Sequence, residues 1–232
     1  MNSVITEITN SSVEVIIMPN GPTLHLDFET VDTRFSELLG ASMWKELPIA
    51  VRRRFGKRVK GGGSVTYQGS VAAMKMNWAG KLLAHSARLV GAPLPFDMSS
   101  VGQPAVVIVT EDIAGNGQFW IRQYGRASGF PHVVHSSKRF AGSTGLEEYI
   151  GYGIGMALNV EVQDMDLFFK SDHYFLTLLG HRFRLPRCLS PGALVIGHHD
   201  MGQGQFRFSL RLKNELFGDL LEQDAIFHDA KD

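Results

Sequence analysis

The stretch "GQFWIRQYG" (residues 117–125) is rich in aromatic and branched residues and is typical of a β-strand. Successive side chains of a strand point to opposite faces, so Trp120, Arg122 and Tyr124 share one face. A guanidinium between two large aromatic side chains lies either on a wet surface or in a partly buried site where an anionic group meets it. We expect the partly buried site, in which a negatively charged partner offsets the cost of burying the cation.

The chain that follows this stretch continues in the same pattern. As far as residue 213, β-type runs alternate with short turns that contain glycine. Short turns favour an antiparallel meander over parallel crossovers, which need longer connections. The runs "MDLFFK" (165–170) and "YFLTLLG" (174–180) are apolar on both faces. A curved sheet that is covered on both sides often encloses a hydrophobic cavity.

The first part of the chain mixes helices with strands. Helical periodicity predicts helices over 31–40, 43–55 and 78–90. The third helix carries an apolar stripe of five residues: Leu82, Leu83, Ala87, Leu89 and Val90. We therefore predict the α+β class, with one domain over residues 31–228. In it, a curved and mainly antiparallel sheet (a meander) packs over the helix near residues 78–90, and two helices precede it. Residues 1–30 are predicted to be an N-terminal hairpin extension.

Composition excludes several classes of protein. The 232 residues include 23 Lys and Arg against 23 Asp and Glu, so the basic surplus of a nucleic-acid binder is absent. Cys188 is the only cysteine, which rules out an intrachain disulfide and a cysteine cluster for a metal, and we expect it to be a packed thiol. No apolar run of ~18 residues and no secretory signal occur, so no membrane span and a cytoplasmic location are expected.

Six segments of the chain together resemble a known family. They are "FSELLGASMWKELPIAVRRRF" (35–55), "WAGKLLAHSARLVGAPLP" (78–95), "FWIRQYG" (119–125), "LEEYIG" (146–151), "LPRCLSP" (185–191) and "GQFRFSL" (204–210). In this order they resemble the bacterial domain-of-unknown-function family 4166. The resemblance covers roughly residues 31–225 and leaves the predicted hairpin at 13–28 outside it.

The resemblance has two implications. In the family, a tryptophan–x–arginine pair and a glutamate three positions before a glycine recur, and here these positions are Trp120, Arg122 and Glu148 (with Gly151). Members often follow a saccharopine-dehydrogenase-like reductase domain. This chain has no dinucleotide-binding glycine fingerprint, so the resemblance implies that such a reductase is a partner in trans, if it is a partner at all.

Arg122 is the first candidate for chemistry. We expect it to face the concave side of the sheet and to pair with Glu148 from a neighbouring strand, because a carboxylate offsets much of the cost of burying a guanidinium. Two roles stay open for this pair. It either fixes only the strand register, or it also lines a pocket and orients an anionic group of a ligand.

The run "GHHDMG" (197–202) supplies the second candidate. His198 and Asp200 can share a strand face, which resembles a general base with its orienting carboxylate, although a polar strand end beside a turn shows the same spacing. A metal would need further ligands such as His135 or His173, and no close ligand pattern supplies them. We therefore expect no metal and no cofactor.

Aromatic residues suggest where a ligand lies. Phe168 and Tyr174, together with Trp120 and Tyr124, could wall an apolar pocket around Arg122, although aromatics at strand spacing are more often plain core. The leading hypothesis is binding of a hydrophobic or lipid-like small molecule with a polar or anionic group. The first alternative is a cofactor-independent isomerase, cyclase or hydrolase that uses Arg122 with Glu148 or a histidine. The second is an interaction domain for a reductase.

Overall fold

The computed structural model describes residues 13–16, 24–27, 30–60, 62–91 and 94–229. The strands and helices are, in chain order, β1 (Val13–Ile16), β2 (Leu24–Asp27), β3 (Thr30–Val31), α1 (Arg34–Glu46), α2 (Ile49–Phe55), β4 (Lys57–Arg58), β5 (Ser64–Met76), α3 (Trp78–Ala87), β6 (Pro104–Asp112), β7 (Gly117–Tyr124), β8 (His132–Arg139), β9 (Leu146–Gly151), β10 (Ile154–Gln163), β11 (Asp166–Leu178), β12 (His181–Arg184), β13 (Ala193–Gly202), β14 (Gln205–Asn214) and β15 (Gly218–His228).

Ten of these strands close into an antiparallel barrel. From β5 to β11 each strand pairs with the next one in the chain, and β11, β13, β14 and β15 continue the series. The last strand, β15, then pairs with the first, β5, so that the sheet has no open edge there. Among the described residues, the extra strand β12 pairs only with the final residues of β11, Phe175 to Leu178.

The predicted α+β class, an open curved sheet packed over a helix, is therefore wrong. Successive strands do pair antiparallel, as the short turns indicate, but the sheet closes on itself. Closure depends on the pairing of β5 with β15, which lie far apart in the chain, and no local pattern reports that contact. The helices do not form a layer beside the sheet.

Gly69 allows close contact between β5 and β15. A Cβ at this position would lie 1.9 Å from the carbonyl oxygen of Ile226 in β15. Glycine lacks that atom, so the two backbones can approach at the place where the barrel closes.

Helices α1 and α2 close one end of the barrel, which we call the plug end. Phe35 of α1 and Phe55 of α2 are buried there, and α1 breaks at Gly40, where φ is 77°. The ring of Phe55 lies 4.9 Å from that of His198 and 6.3 Å from that of Trp120, centroid to centroid. Both helices expected before the sheet are present, and they fill the barrel end.

Helix α3 lies at the opposite end, which we call the mouth end. The turns β7–β8, β9–β10, β11–β12 and β14–β15 also lie at this end, because neighbouring antiparallel strands turn at alternate ends. The predicted apolar stripe of α3 is only partly buried. Leu83 is half-buried, whereas Leu82 and Leu89 are exposed, since the barrel itself supplies the core that a sheet-covering helix would have shared.

The N-terminal segment is described in part. Strands β1 and β2 pair antiparallel, as the predicted hairpin requires, and the turn between them lies outside the described residues. The division into an extension over 1–30 and one domain over 31–228 stays a prediction. Of the helices in the described ranges, none combines the length and apolarity needed to cross a membrane.

Candidate functional site

The barrel lumen contains a cavity of about 420 Å³ toward the mouth end. This volume falls within the range of small-molecule sites. Segments of α3 and of residues 185–191 border its opening, and Arg122, Ser136 and Glu148 lie at its inner boundary. Its wall is mainly apolar and includes Val134, Met156, Leu194, Ile196, Phe208 and Leu210.

The stretch "GQFWIRQYG" contains strand β7, and its side chains alternate between the lumen and the outer face of the barrel. Trp120, Arg122 and Tyr124 are buried and point into the lumen, whereas Phe119 on the outer face is exposed. Arg122 is only 6% exposed, so the partly buried arrangement expected from the sequence is the one observed. The strand thus places the guanidinium of Arg122 in the mainly apolar lumen of the barrel.

Four side chains form what we call the charged cluster: Arg122, Ser136, Lys138 and Glu148. Arg122 Nη2 lies 3.4 Å from Glu148 Oε1, and Arg122 Nη1 donates to Ser136 Oγ at 3.2 Å. Ser136 Oγ donates to Glu148 Oε1 at 2.6 Å, and Lys138 Nζ donates to Glu148 Oε2 at 3.1 Å. The register places Lys138 directly opposite Glu148, so strands β8 and β9 hold the cluster together.

Electrostatics keep the carboxylate of Glu148 ionised. Burial raises the pKa of this carboxyl, but the charges of Lys138 and Arg122 and the hydrogen bond from Ser136 outweigh burial and lower the pKa to about 2. Burial lowers the pKa of Lys138 to about 8, although Glu148 opposes this shift. At neutral pH the cluster therefore contains one carboxylate, one guanidinium and, for the most part, an ammonium.

The charged cluster has an excess of positive charge. Glu148 is the one carboxylate within salt-bridge distance of Arg122 and Lys138 among the described residues. Lys138 is 1% exposed, and its Nζ lies over the ring of Trp120 at 5.1 Å from the centroid, which attracts the cation only weakly in comparison with an anion. A buried cation without a matching anion is unfavourable. An anionic group in the adjoining cavity would complete the charge balance.

A second space lies on the plug side of Arg122. Its volume is about 20 Å³, roughly that of one water molecule, and Trp120 and His198 border it. Burial, followed by the charges of Lys138, Arg54 and Arg122, lowers the pKa of His198 well below its ordinary value, so this imidazole is neutral. Trp120 and His198 therefore lie beneath the charged cluster and do not border the large cavity.

The predicted pairing of His198 with Asp200 is not formed. Asp200 accepts from Arg54 at 2.9 Å, and Nδ1 of His198 has no hydrogen-bond partner among the described residues. The adjacent His199, and not His198, contacts a carboxylate. Its Nδ1 lies 2.5 Å from Asp166 Oδ2, and its Nε2 lies 2.9 Å from Ser209 Oγ.

The His199 group lies on the outer face of the barrel. Ser209 is in the middle of β14, opposite Gly197 and Asp224, where the strand's backbone donors serve the sheet. An acyl-transfer site also needs donors for an oxyanion and a space for substrate. The large cavity is on the other side of the sheet, so we interpret this group as a polar contact across strands.

The other predicted ligand contacts divide between two places. Tyr124 and Tyr174 line the cavity beside Arg122, and burial raises the pKa of both phenols, which therefore stay protonated as possible donors. Phe168 lies on the outer face, with its ring 5.5 Å from that of His199. The expectation of a packed Cys188 is wrong, because this thiol is exposed at the cavity opening, where residues 187–189 form a 3-10 turn.

Sequence reasoning missed Lys138, although strand alternation contained the signal. In "VVHSSKRFAG" (133–142), Val134, Ser136 and Lys138 share a face, and an apolar Val134 indicates that this face is buried. A lysine on that face must lie inside the barrel. The charge excess of the cluster, by contrast, becomes visible only with the contacts in place.

Metal ligands were also sought in the part of the chain that the structure describes. No group of three or more His, Cys, Asp or Glu side chains there is placed to hold a metal ion.

Comparison with known proteins agrees with the resemblance. No curated protein and no solved structure matched the chain. Residues 47–227, most of the chain and most of the barrel, match one family model, and the chain therefore belongs to the family described as "Domain of unknown function (DUF4166)".

Proposed function

We propose that the barrel binds an amphipathic small molecule, with its apolar part in the cavity and an anionic head group at Arg122. The observation that carries this proposal is the meeting of two features at one point. An apolar cavity of about 420 Å³ ends at Arg122, and Arg122 belongs to a buried cluster that has more cations than anions. A closed antiparallel barrel of this size is a common container for such ligands.

The arrangement supports binding more than catalysis. A general base must accept a proton near its working pH, and Glu148 is held as a carboxylate by its contacts with Arg122, Lys138 and Ser136. His198, the other predicted base, does not border the large cavity. Of the polar groups that face the ligand space, Arg122, Tyr124 and Tyr174 are suited to holding an oxyanion, and the carboxylate of Glu148 beside them is already paired with Arg122 and Lys138.

The first test is the identity of what the barrel holds. Native mass spectrometry of the purified full chain is expected to show a co-purifying small molecule, which denaturation releases. A defined probe then tests the head group. The probes are dodecanoate and its methyl ester, which share the same hydrocarbon chain and differ in charge. Displacement of a polarity-sensitive fluorophore measures the binding of each. We expect the acid to bind at least about tenfold more tightly, because only the acid supplies the missing anion.

Replacing Arg122 with leucine is expected to weaken dodecanoate binding roughly thirtyfold, which corresponds to about 2 kcal/mol for a charge-assisted contact. The fold should survive, because Lys138 and Glu148 then form a balanced pair. Fluorescence displacement measures the affinity and thermal unfolding measures the stability.

Lys138→Met is the matched control for that variant. It removes one cation from the same cluster, but Lys138 does not border the cavity. The variant therefore loses part of the charge attraction and keeps the direct contact with Arg122, so dodecanoate affinity should fall clearly less than in Arg122→Leu. Equal binding of the acid and the ester, or equal losses in the two variants, would contradict a head-group site at Arg122.

A further inference from the structure

Large apolar side chains surround the mouth end of the barrel. They stand on α3 and the turn after it, on the β7–β8 loop, on the β9–β10 and β11–β12 turns, and on the segment before β13. Leu89 is 84% exposed, Phe130 is 91% exposed and Leu179 is 90% exposed. We define the mouth rim as the residues Leu82, Leu89, Phe130, Tyr152, Leu179 and Leu189, all of which are exposed.

Turn geometry does not account for two apolar residues of the mouth rim, Tyr152 and Leu179. Tyr152 and Leu179 both have φ of 50°, a left-handed conformation that favours Gly, Asn or Asp and disfavours bulky residues. At the plug end, the corresponding first positions of the two-residue turns are polar, with Asp164 at φ 50° and Gln203 at φ 53°, and the apolar Met165 follows Asp164 at φ 66°. The bulky residues at the mouth end therefore have a use other than forming the turn.

Basic residues lie among the apolar ones. Residues 78–96 and 178–192, parts of which line the cavity opening, contain five Lys and Arg and no Asp or Glu, in a chain whose total charge is balanced. The next acidic residue, Asp97, pairs with a further cation, Arg126. Two of these cations have acidic neighbours, since Arg182 pairs with Glu147 and Arg184 lies 4.0 Å from Asp172. The acidic Glu215 lies in the β14–β15 turn, and Asp219 lies at the start of β15. The five basic residues are Lys81, Arg88, Arg182, Arg184 and Arg187.

We propose that the mouth rim docks on a lipid bilayer that carries anionic head groups. The apolar side chains stand on α3 with the turn that follows it and on four separate loops, and this dispersed arrangement suits insertion among lipid head groups better than a flat protein interface. The neighbouring arginines and Lys81 complement negative head groups. The rim also surrounds the opening of the cavity, so a docked barrel exchanges an amphipathic ligand with the bilayer directly. Only this last step rests on the proposed function.

Sedimentation with vesicles tests the docking. The full chain is mixed with extruded vesicles of phosphatidylcholine, either alone or with one quarter phosphatidylglycerol. We expect it to pellet with the anionic vesicles at least about tenfold more strongly. Leu89→Ser combined with Leu179→Asn should lower that partition about tenfold, and asparagine suits the left-handed turn position.

The matched control is Ile113→Ser at the plug end. Ile113 is 81% exposed, like the rim residues, and its replacement should leave vesicle binding unchanged. A fluorophore on the single cysteine, Cys188, supplies a second readout, because it should shift to shorter wavelengths when the opening meets lipid.

Three results would overturn the docking proposal: a chain that stays in the supernatant with anionic vesicles, equal losses in the rim and Ile113 variants, or a rim that captures a protein partner while vesicles remain unbound. Dodecanoate binding by the same samples separates the two proposals. If dodecanoate binds and vesicles do not, the docking surface fails and the lumen site stands.

Discussion

Glu148→Gln is expected to lower the free energy of unfolding by about 3–5 kcal/mol, because it leaves two buried cations without their carboxylate. The amide keeps the shape and the contact with Ser136, so the loss reports charge and not packing. Arg122 and Lys138 are both nearly inaccessible to water and cannot recover their hydration in the folded barrel. Chemical denaturation at neutral pH measures the change.

Two further variants are needed to attribute that loss of stability to buried charge. Glu161→Gln breaks a similar contact on the surface, where Lys170 Nζ lies 2.6 Å from Glu161 Oε2, and should cost less than about 1 kcal/mol. Adding Lys138→Met to Glu148→Gln should recover part of the stability, since one unpaired cation is removed. A Glu148→Gln protein within about 1 kcal/mol of the parent would show that the cluster is not energetically coupled.

The second large effect is an increase in stability between about pH 8 and pH 10. The pKa of Lys138 is lowered to about 8 in the folded chain, whereas an unfolded lysine titrates near its ordinary value of 10.5. Between these values the unfolded chain binds more protons than the folded chain, so the free energy of unfolding rises with pH, by about 2 kcal/mol over this range. Above it, Tyr67, whose pKa burial raises to about 12, acts in the opposite direction.

Lys138→Met removes this titration and provides the comparison. Denaturant midpoints measured from pH 7 to pH 10 should climb for the parent and stay level for the variant. Parallel curves for the two proteins would mean that another group titrates, and a falling parent curve would contradict a lowered pKa for Lys138. The same variant serves as the binding control, so a single preparation answers both questions.

Local alternation predicted which face of strand β7 lies inside the barrel. Alternation in "GQFWIRQYG" placed Arg122 on a buried face with Trp120 and Tyr124, and the expected contact with Glu148 is present. A side chain's direction in a strand follows from the backbone alone, and a buried guanidinium requires a carboxylate nearby. These inferences need neither the number of strands nor their closure.

The closed barrel could not be predicted in the same way. The pairing of β5 with β15, for instance Ala73 opposite Asp224, joins segments that share no turn. Gly69 marks the contact, but a glycine within a strand also fits a simple bend. The apolar stripe of α3 misled for a related reason. Helical periodicity predicts an apolar face and does not say whether protein, ligand or another surface covers it, and Leu82 and Leu89 are left exposed.

Histidine roles were the least predictable part of the site. His198 and Asp200 follow the spacing of a base and its orienting group, yet Arg54 binds the carboxylate and His199 meets Asp166 instead. Neighbouring histidines on a strand point to opposite faces, and only the register decides which of them meets a carboxylate. The predicted reductase partnership depends on the family resemblance, and no contact in the barrel bears on it.

The junction between β5 and β15 also sets the order of events during synthesis. Strand β5 (Ser64–Met76) leaves the ribosome long before β15 (Gly218–His228) is synthesised. Until then, any sheet that has formed has two unpaired edge strands. Pairing β5 with β15 joins segments that lie far apart in the chain, a step that is slow on topological grounds. Until β15 is synthesised, the barrel cannot close, and the side chains of its lumen, including the charged cluster, stay exposed to solvent. During this interval we expect the nascent chain to be most prone to aggregation.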